Sequence, residues 1–149
     1  MKKIAFLLVS MMLSGCSYLT EFFIYNSTLE PIYVSYQFKY LKHSDAFISA
    51  AEIKSFRSFT KIKDVEDQSA LRIDSISKTV SCILKPKEAL WIGADTNFSL
   101  KNEYDAEKLR ANLTLLEIEA ANQVFSYDST TVLHKFQTFD LNHVGISVE

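Results

Sequence analysis

The chain has 149 residues, of which 48% are apolar and 23% are charged, a composition that indicates one globular domain rather than a disordered segment. Its 16 basic and 18 acidic residues give a net charge of −2, which excludes the strongly basic surface typical of nucleic-acid-binding proteins. The sequence contains only 3 glycines, 2 prolines and 2 cysteines, so collagen-like, low-complexity and disulfide-scaffold classes are excluded as well.

The N-terminus has the organisation of a secretory signal. Met1-Lys2-Lys3 is a short basic segment, and an apolar run broken only by Ser10 follows over residues 4–13. This run is shorter than the roughly 20 residues that a membrane-spanning helix needs, and it suits the apolar region of a signal peptide. It ends in Leu13-Ser14-Gly15-Cys16, which resembles the lipobox of bacterial lipoproteins. The resemblance implies that residues 1–15 are cleaved off, between Gly15 and Cys16.

The same resemblance implies a lipid anchor. Cys16 would carry a diacylglycerol on its thiol and an acyl chain on its new amino group, and two or three fatty chains make release from a bilayer negligible. Ser17 follows the cysteine, whereas Asp at this position retains enterobacterial lipoproteins at the inner membrane. The expected location is therefore the outer membrane, with the protein facing the periplasm. Cleavage leaves 14 basic and 18 acidic residues, so electrostatic attraction to anionic lipids is not expected to help.

The predicted tether between lipid and domain is short. Residues 16–21 form the lipidated N-terminus and tether, and the apolar run that begins at Phe22 opens a single domain over residues 22–149. The five residues 17–21 between Cys16 and Phe22 reach at most about 17 Å when fully extended, so we expect the domain to lie close to the bilayer.

Alternation of apolar and polar residues predicts most of the domain as strands. Residues 32–38 alternate strictly behind Pro31, and residues 80–84 alternate in the same way. Residues 85–88 are typical of a turn, and 89–92 predict the returning strand. Residues 144–148 predict a final strand at the C-terminus.

Further runs rich in β-branched and aromatic residues cover 56–62, 113–118, 124–127 and 130–139. The apolar positions change parity between Leu115 and Leu116, which predicts a β-bulge. Two short helices are also candidates, one over residues 45–53 capped by Ser44, the other over 105–110.

These elements predict an all-β fold with at most short helical insertions. About seven to nine strands at this spacing favour a two-sheet antiparallel β-sandwich of immunoglobulin-like or related topology, with a closed barrel as the alternative. Because glycine is scarce, we expect turns built from Asn, Asp, Ser and Lys in longer type I loops.

Two kinds of side chain stand out within the strands. Cys82 has the apolar parity of its strand, so we expect a buried, unpaired and unreactive thiol. Tyr33 lies on a polar parity and Trp91 is out of phase with its neighbours, so together they are a weak candidate for an exposed binding patch.

Catalytic chemistry has weak candidates only. His134, Asp140 and His143 are residue types that bind zinc and lie close in sequence, but a loop with solvated polar groups is the commoner outcome. Glu117 and Glu119 share one strand face, as paired carboxylates of a glycosidase do, and also as solvent-facing residues of ordinary sheets do. We therefore expect no catalytic residue, no metal and no cofactor.

The sequence favours a membrane-anchored outer-membrane lipoprotein that acts through protein contact. It would be an assembly or scaffold component of an envelope or secretion complex. Its expected partners are the lipid bilayer, through acylated Cys16, and another envelope protein, with the C-terminal strand 144–148 as the candidate docking edge. The alternative is an inhibitor or immunity lipoprotein that blocks an enzyme or toxin at the envelope. A small hydrolase using His134, Asp140 and His143 is the third possibility.

Overall fold

A computed structural model describes residues 17–39 and 47–149, with the side chains of residues 47–50 outside that description. Within these ranges the chain forms two β-sheets packed face to face, one α-helix and one 3₁₀-helix. The predicted two-sheet β-sandwich is therefore confirmed.

The described elements follow one another along the chain in this order. The strands are β1 (Leu19–Asn26), β2 (Ile32–Phe38), β3 (Phe47–Ser58), β4 (Lys61–Asp64), β5 (Arg72–Asp74), β6 (Thr79–Leu84), β7 (Glu88–Thr96), β8 (Leu113–Ala120), β9 (Gln123–Asp128), β10 (Gln137–Thr138) and β11 (His143–Val148). The helix α1 covers Glu103–Asn112, and the 3₁₀-helix covers Val132–Lys135.

Strand order differs between the two sheets. The six-stranded sheet has the order β10-β11-β1-β7-β3-β4, and the five-stranded sheet has the order β5-β6-β2-β8-β9. All recorded pairings are antiparallel except β1 with β11, which is parallel. The last of the described strands thus lies beside the first of them, in one sheet.

The consecutive apolar residues of β1 are explained by burial on both faces of the sheet. Phe22 and Ile24 face the core between the sheets, and both are fully buried. Phe23 and Tyr25 point to the opposite face and are buried just as completely. A strand covered on both sides has no need for the alternation shown by half-buried strands.

The outer face of the six-stranded sheet is covered by an outer aromatic cluster, which comprises Phe23, Tyr25, Phe56, Phe59 and Phe139. The Tyr25 hydroxyl donates a hydrogen bond to the Phe59 carbonyl oxygen at 2.9 Å. The rings of Phe59 and Phe139 stack at 4.2 Å between centroids. Phe59 comes from the β3–β4 turn and Phe139 from the β10–β11 turn, so these two turns seal the sheet from outside.

β1 begins at Leu19, three residues before the predicted start of the domain at Phe22. Thr20 is fully buried, and its hydroxyl donates a hydrogen bond to the Leu141 carbonyl oxygen at 3.1 Å. The predicted tether is therefore partly strand.

The helix predicted over residues 45–53 is wrong where the structure describes it, since residues 47–53 belong to β3. Ser44 and Asp45 lie outside the described residues. Ile53 pairs with Leu90 of β7 and is buried, whereas Glu52 pairs with Trp91 and is exposed. Pairing with a central strand outweighs the weak helical pattern in this segment.

Two other segments differ from the predicted strands. Residues 130–139 contain the 3₁₀-helix and only a two-residue strand, because Phe136 turns inward to become buried in the core. The turn over residues 85–88 is confirmed, but it carries the chain from β6 in one sheet to β7 in the other. The strands on either side of this turn are therefore not a hairpin.

The second helix and the bulge are confirmed in modified form. α1 is longer than residues 105–110, because the Asn102 side chain caps it by accepting a hydrogen bond from the Tyr104 backbone N–H at 2.9 Å. In β8, Gln37 pairs with Leu115 and Phe38 with Leu113, so Thr114 is the extra residue. The bulge lies just before the predicted parity switch.

Turns use residues other than glycine, as predicted. Positive φ angles occur at Lys78, Lys87, Asn97, Ala121 and Asn122. The β8–β9 hairpin departs from the expected longer loops, because Ala121 and Asn122 both have positive φ in a two-residue connection. That conformation matches the twist of the strands it joins.

Candidate functional site

The C-terminal strand β11 is covered unequally on its two sides. On one side, β1 pairs with it over its whole length, from His143 to Val148. On the other side, β10 has only two residues, and it pairs only with Val144 and Gly145. In the part of the chain that the structure describes, the segment from Ile146 onward is consequently an open sheet edge.

The backbone of Ser147 faces this open side. The Phe139 N–H donates to the His143 carbonyl oxygen at 2.9 Å, so the polar groups of His143 point toward β10. The Val148 carbonyl oxygen accepts from the Ser27 N–H at 2.9 Å, on the β1 side. Because directions alternate along a strand, Ser147 points its N–H and C=O beyond the end of β10. These groups are placed to pair with another strand.

The five-stranded sheet is also left uncovered at this side. Phe125 of β9 pairs with Ile118, which faces the core, so its side chain projects toward the space between the sheets. It is nevertheless 40% exposed, so the described strands of the six-stranded sheet cover it only in part.

Between β9 and β11 lies a cleft of about 510 Å³. We call it the edge cleft, and its lining includes Ile118, Phe125, Tyr127, Phe136, Ile146 and Ser147. A second cavity of about 510 Å³ shares Phe125, Val148 and Glu149 with it and continues toward the β1–β2 loop. Together they form a surface that follows the open edge.

The edge cleft has an apolar floor and charged ends. The Lys135 ammonium lies 5.2 Å from the centroid of the Tyr127 ring, a cation–π contact that holds it at the rim. His134 and Glu149 also line the cleft. An apolar floor, an open backbone edge and a mixed polar rim are features of surfaces that bind extended peptides.

The residues considered for a zinc site are divided between two places. The His143 Nδ1 lies 2.8 Å from Asp140 Oδ1, and its ring stacks on Phe23 at 6.0 Å in the outer aromatic cluster. His134 lines the edge cleft instead. Burial raises the pKa of Asp140, but hydrogen bonds from His143 and Asn142 outweigh it and hold that pKa below its usual range. In the part of the chain that the structure describes, no three His, Cys, Asp or Glu residues are grouped to hold a metal.

Other candidates from the sequence do not converge on a site. Glu117 and Glu119 lie on β8 opposite Ser35 and Tyr33, on the outer face of the five-stranded sheet. Tyr33 is 42% exposed there, whereas Trp91 packs against the outer aromatic cluster of the other sheet. Tyr33 and Trp91 therefore do not form a joint patch, and that hypothesis is wrong.

Cys82 lies in the core, as its strand parity predicts. It is 2% exposed and forms no disulfide. Burial, with a smaller contribution from Glu88, raises the pKa of its thiol to about 12. Such a thiol is almost entirely protonated at neutral pH, which is the form that does not act as a nucleophile.

The open edge was only half visible in the sequence. The sequence predicts strand 144–148 as a docking edge, but β10 pairs with its first half. The contribution of β9 was missed. Its available signal was Val124 next to Phe125, two adjacent apolar residues in a short strand, and these are 65% and 40% exposed.

No family model matches the chain, and comparisons with curated proteins and with solved structures find no significant similarity. Among the described residues, no helix is long and apolar enough to cross a membrane. The lipobox residues Leu13 to Cys16, including the expected cleavage and lipidation positions Gly15 and Cys16, lie outside the described residues.

Proposed function

We propose that this protein is a lipid-anchored envelope protein whose β-sandwich binds a partner protein at the edge cleft. The observation that carries the proposal is that, among the described residues, β10 stops short of Ser147 and leaves the Ser147 backbone unpaired on that side, while Phe125 nearby is partly exposed. A partner strand placed there would extend the six-stranded sheet and cover the apolar floor in one step.

The energetics favour such an added strand. A Phe side chain has roughly 200 Å² of surface, and Phe125 is 40% exposed, so covering it removes about 80 Å² from water. At about 25 cal/mol per Å², this contributes about 2 kcal/mol. Val124 points to the other face of β9 and adds no burial in the cleft. Main-chain hydrogen bonds to β11 supply register, and the charged rim supplies selectivity.

The anchor is supported by the order of basic segment, apolar run and lipobox, and by the short separation in sequence between Cys16 and β1. Only Ser17 and Tyr18 separate Cys16 from β1. An anchored domain with so short a tether meets its partners at the membrane, which suits a component of an envelope or secretion assembly at the outer membrane.

Lipidation is tested by metabolic labelling. Labelled palmitate is expected in the wild type and absent from Cys16→Ser, which should accumulate as the uncleaved precursor. Equal labelling of the two proteins would contradict the anchor.

Partner binding is tested by cross-linking in intact cells followed by mass spectrometry. A single envelope protein is expected to be captured by the wild type and by Ser147→Ala, which keeps its backbone N–H. Ser147→Pro should lose the product, because proline has no N–H and its ring projects from the open edge. The β1 ladder is spared, since the Ser147 N–H points away from β1. Unfolding in urea confirms that both variants are folded.

The identity of the captured protein decides the role. A structural or secretion component supports the assembly role, and an enzyme or toxin that loses activity when bound supports the inhibitor or immunity role. If no protein is captured and the purified chain hydrolyses an envelope polymer, the binding proposal is wrong.

A further inference from the structure

The end of the sandwich where β1 begins carries exposed apolar side chains. Leu19 is 50% exposed and Leu141, in the β10–β11 turn, is 70% exposed. The Asn142 side-chain amide donates a hydrogen bond to the Leu19 carbonyl oxygen at 3.0 Å, and Thr20 bonds the Leu141 carbonyl oxygen. The two leucines are therefore neighbours held by fixed hydrogen bonds.

A third apolar residue is held at the same end by the loop before α1. The Tyr18 N–H donates to the Asn97 side-chain oxygen at 3.0 Å, and the Asn97 N–H donates to the Tyr18 carbonyl oxygen at 2.9 Å. This loop leads to Asn102, which caps α1, and Tyr104 in the first turn is 77% exposed. Tyrosine suits a membrane interface because its ring is apolar and its hydroxyl remains hydrated.

The turn between β5 and β6 supplies a fourth apolar residue, Ile76, which is 95% exposed. At the far end of the sandwich, the Asn26 side chain of β1 donates to the Leu84 carbonyl oxygen of β6 at 2.9 Å. The opposite end of β6, beside Ile76, therefore lies at the same end of the sandwich as Leu19.

We propose that Leu19, Ile76, Tyr104 and Leu141 form an apolar rim that inserts into the lipid headgroup region and orients the anchored domain. The inference rests on the proposed lipid anchor. The chain toward Cys16 leaves the fold at Ser17, beside this rim, so an acylated Cys16 brings the rim to the bilayer. Apolar side chains that project from separate segments suit insertion into a lipid interface better than binding in a single groove of a partner protein.

Charged residues near the rim do not favour anionic lipid, so apolar contact is its main interaction. Near Ile76 and Tyr104 in sequence, the basic residues Lys78 and Lys101 are outnumbered by the acidic residues Asp74, Glu103 and Asp105, and Asp140 precedes Leu141. Binding through the rim should accordingly depend little on the fraction of anionic lipid.

This orientation directs the edge cleft away from the membrane. Ser147 pairs with Tyr25, six residues along β1 from Leu19, and a strand rises about 3.3 Å per residue. The open edge then lies about 20 Å beyond the rim, where a protein of the periplasm has access to it.

The rim is tested on the lipidated chain reconstituted into vesicles of phosphatidylethanolamine and phosphatidylglycerol that contain nitroxide-labelled lipid. A bimane fluorophore is attached at Ser75→Cys, next to Ile76, or at Ser58→Cys, where β3 ends at the opposite end of the sandwich. Cys82 is buried and does not compete for the label in the folded protein. Quenching at position 75 is expected to exceed quenching at position 58 severalfold.

A second variant separates orientation from anchoring. Adding Ile76→Ser and Leu141→Ser to the Ser75→Cys protein should reduce its quenching severalfold, while the acylated N-terminal peptide seen by mass spectrometry stays unchanged. Equal quenching at positions 75 and 58 in an acylated protein would overturn the proposed rim but leave the lipid anchor standing. An N-terminal peptide without acyl chains would instead overturn the anchor, and with it this orientation.

Discussion

Gly145 is the position where the packing of β11 on β1 is most sensitive to one added atom. Gly145 is buried opposite Phe23 in the parallel pair. A Cβ at this position would stand closer to the Phe23 carbonyl oxygen than van der Waals contact allows, and 2.9 Å from Cε2 of Tyr25. A main-chain oxygen has no rotamer by which to move aside, so Gly145→Ala must shift one strand against the other.

The expected cost follows from two opposing effects. Overpacking a buried site costs about 1–3 kcal/mol, and a clash with main chain belongs at the upper end. Replacing Gly by Ala restricts the unfolded chain and returns about 0.4–1 kcal/mol. We therefore expect a net loss of about 2 kcal/mol, which lowers Tm by roughly 6 °C for a chain of this size.

Urea unfolding of Gly145→Ala measures this loss as a lower midpoint at unchanged slope. The matched control is Ser147→Ala on the same strand and face, which removes one hydroxyl contact with Ser27 at 2.9 Å and should cost under about 1 kcal/mol. A loss below about 0.5 kcal/mol for Gly145→Ala would refute the parallel register of β11 against β1.

Three further predictions concern single side chains. Cys82 should resist a thiol reagent until the protein unfolds, because burial raises the pKa of its thiol to about 12. Rapid labelling of the folded protein would contradict that burial. Cys82→Ala should cost about 1 kcal/mol of unfolding free energy. Hydrogen bonds from Thr130 and Thr131 lower the pKa of Asp128 to about 2, so the stability advantage of wild type over Asp128→Asn should be full above about pH 5. It should shrink as pH falls through 4 toward 2, and a difference independent of pH would refute the assignment. Tyr25→Phe removes the hydrogen bond to the Phe59 carbonyl oxygen, so its unfolding free energy in urea should fall by about 1 kcal/mol. An unchanged unfolding free energy would argue against that hydrogen bond.

Alternation predicted the half-buried strands well. Ile32–Phe38 was located correctly because one face meets the core and the other meets solvent, so the sequence records the period directly. The inward position of Cys82 followed from the same argument.

The sequence was less informative where burial is two-sided or pairing is distant. Phe22 to Tyr25 have no polar parity because both faces of β1 are covered, and the second cover comes from turns far along the chain. The helix expected over residues 45–53 was wrong because β7 supplies a pairing partner that local periodicity does not reveal. The edge cleft could not be predicted for the same reason, because it depends on how far β10 pairs along β11, and local periodicity does not reveal that pairing.

The most direct test of partner binding places a photo-reactive phenylalanine analogue at Phe125 in the living cell. The matched control places it at Ile83 on β6, which is 52% exposed compared with 40% for Phe125. Irradiation should link a single envelope protein to position 125. The product should be absent when the analogue is at position 83, and absent when the analogue at position 125 is combined with Ser147→Pro. The same product at both positions, or none at position 125, would contradict binding at the edge cleft.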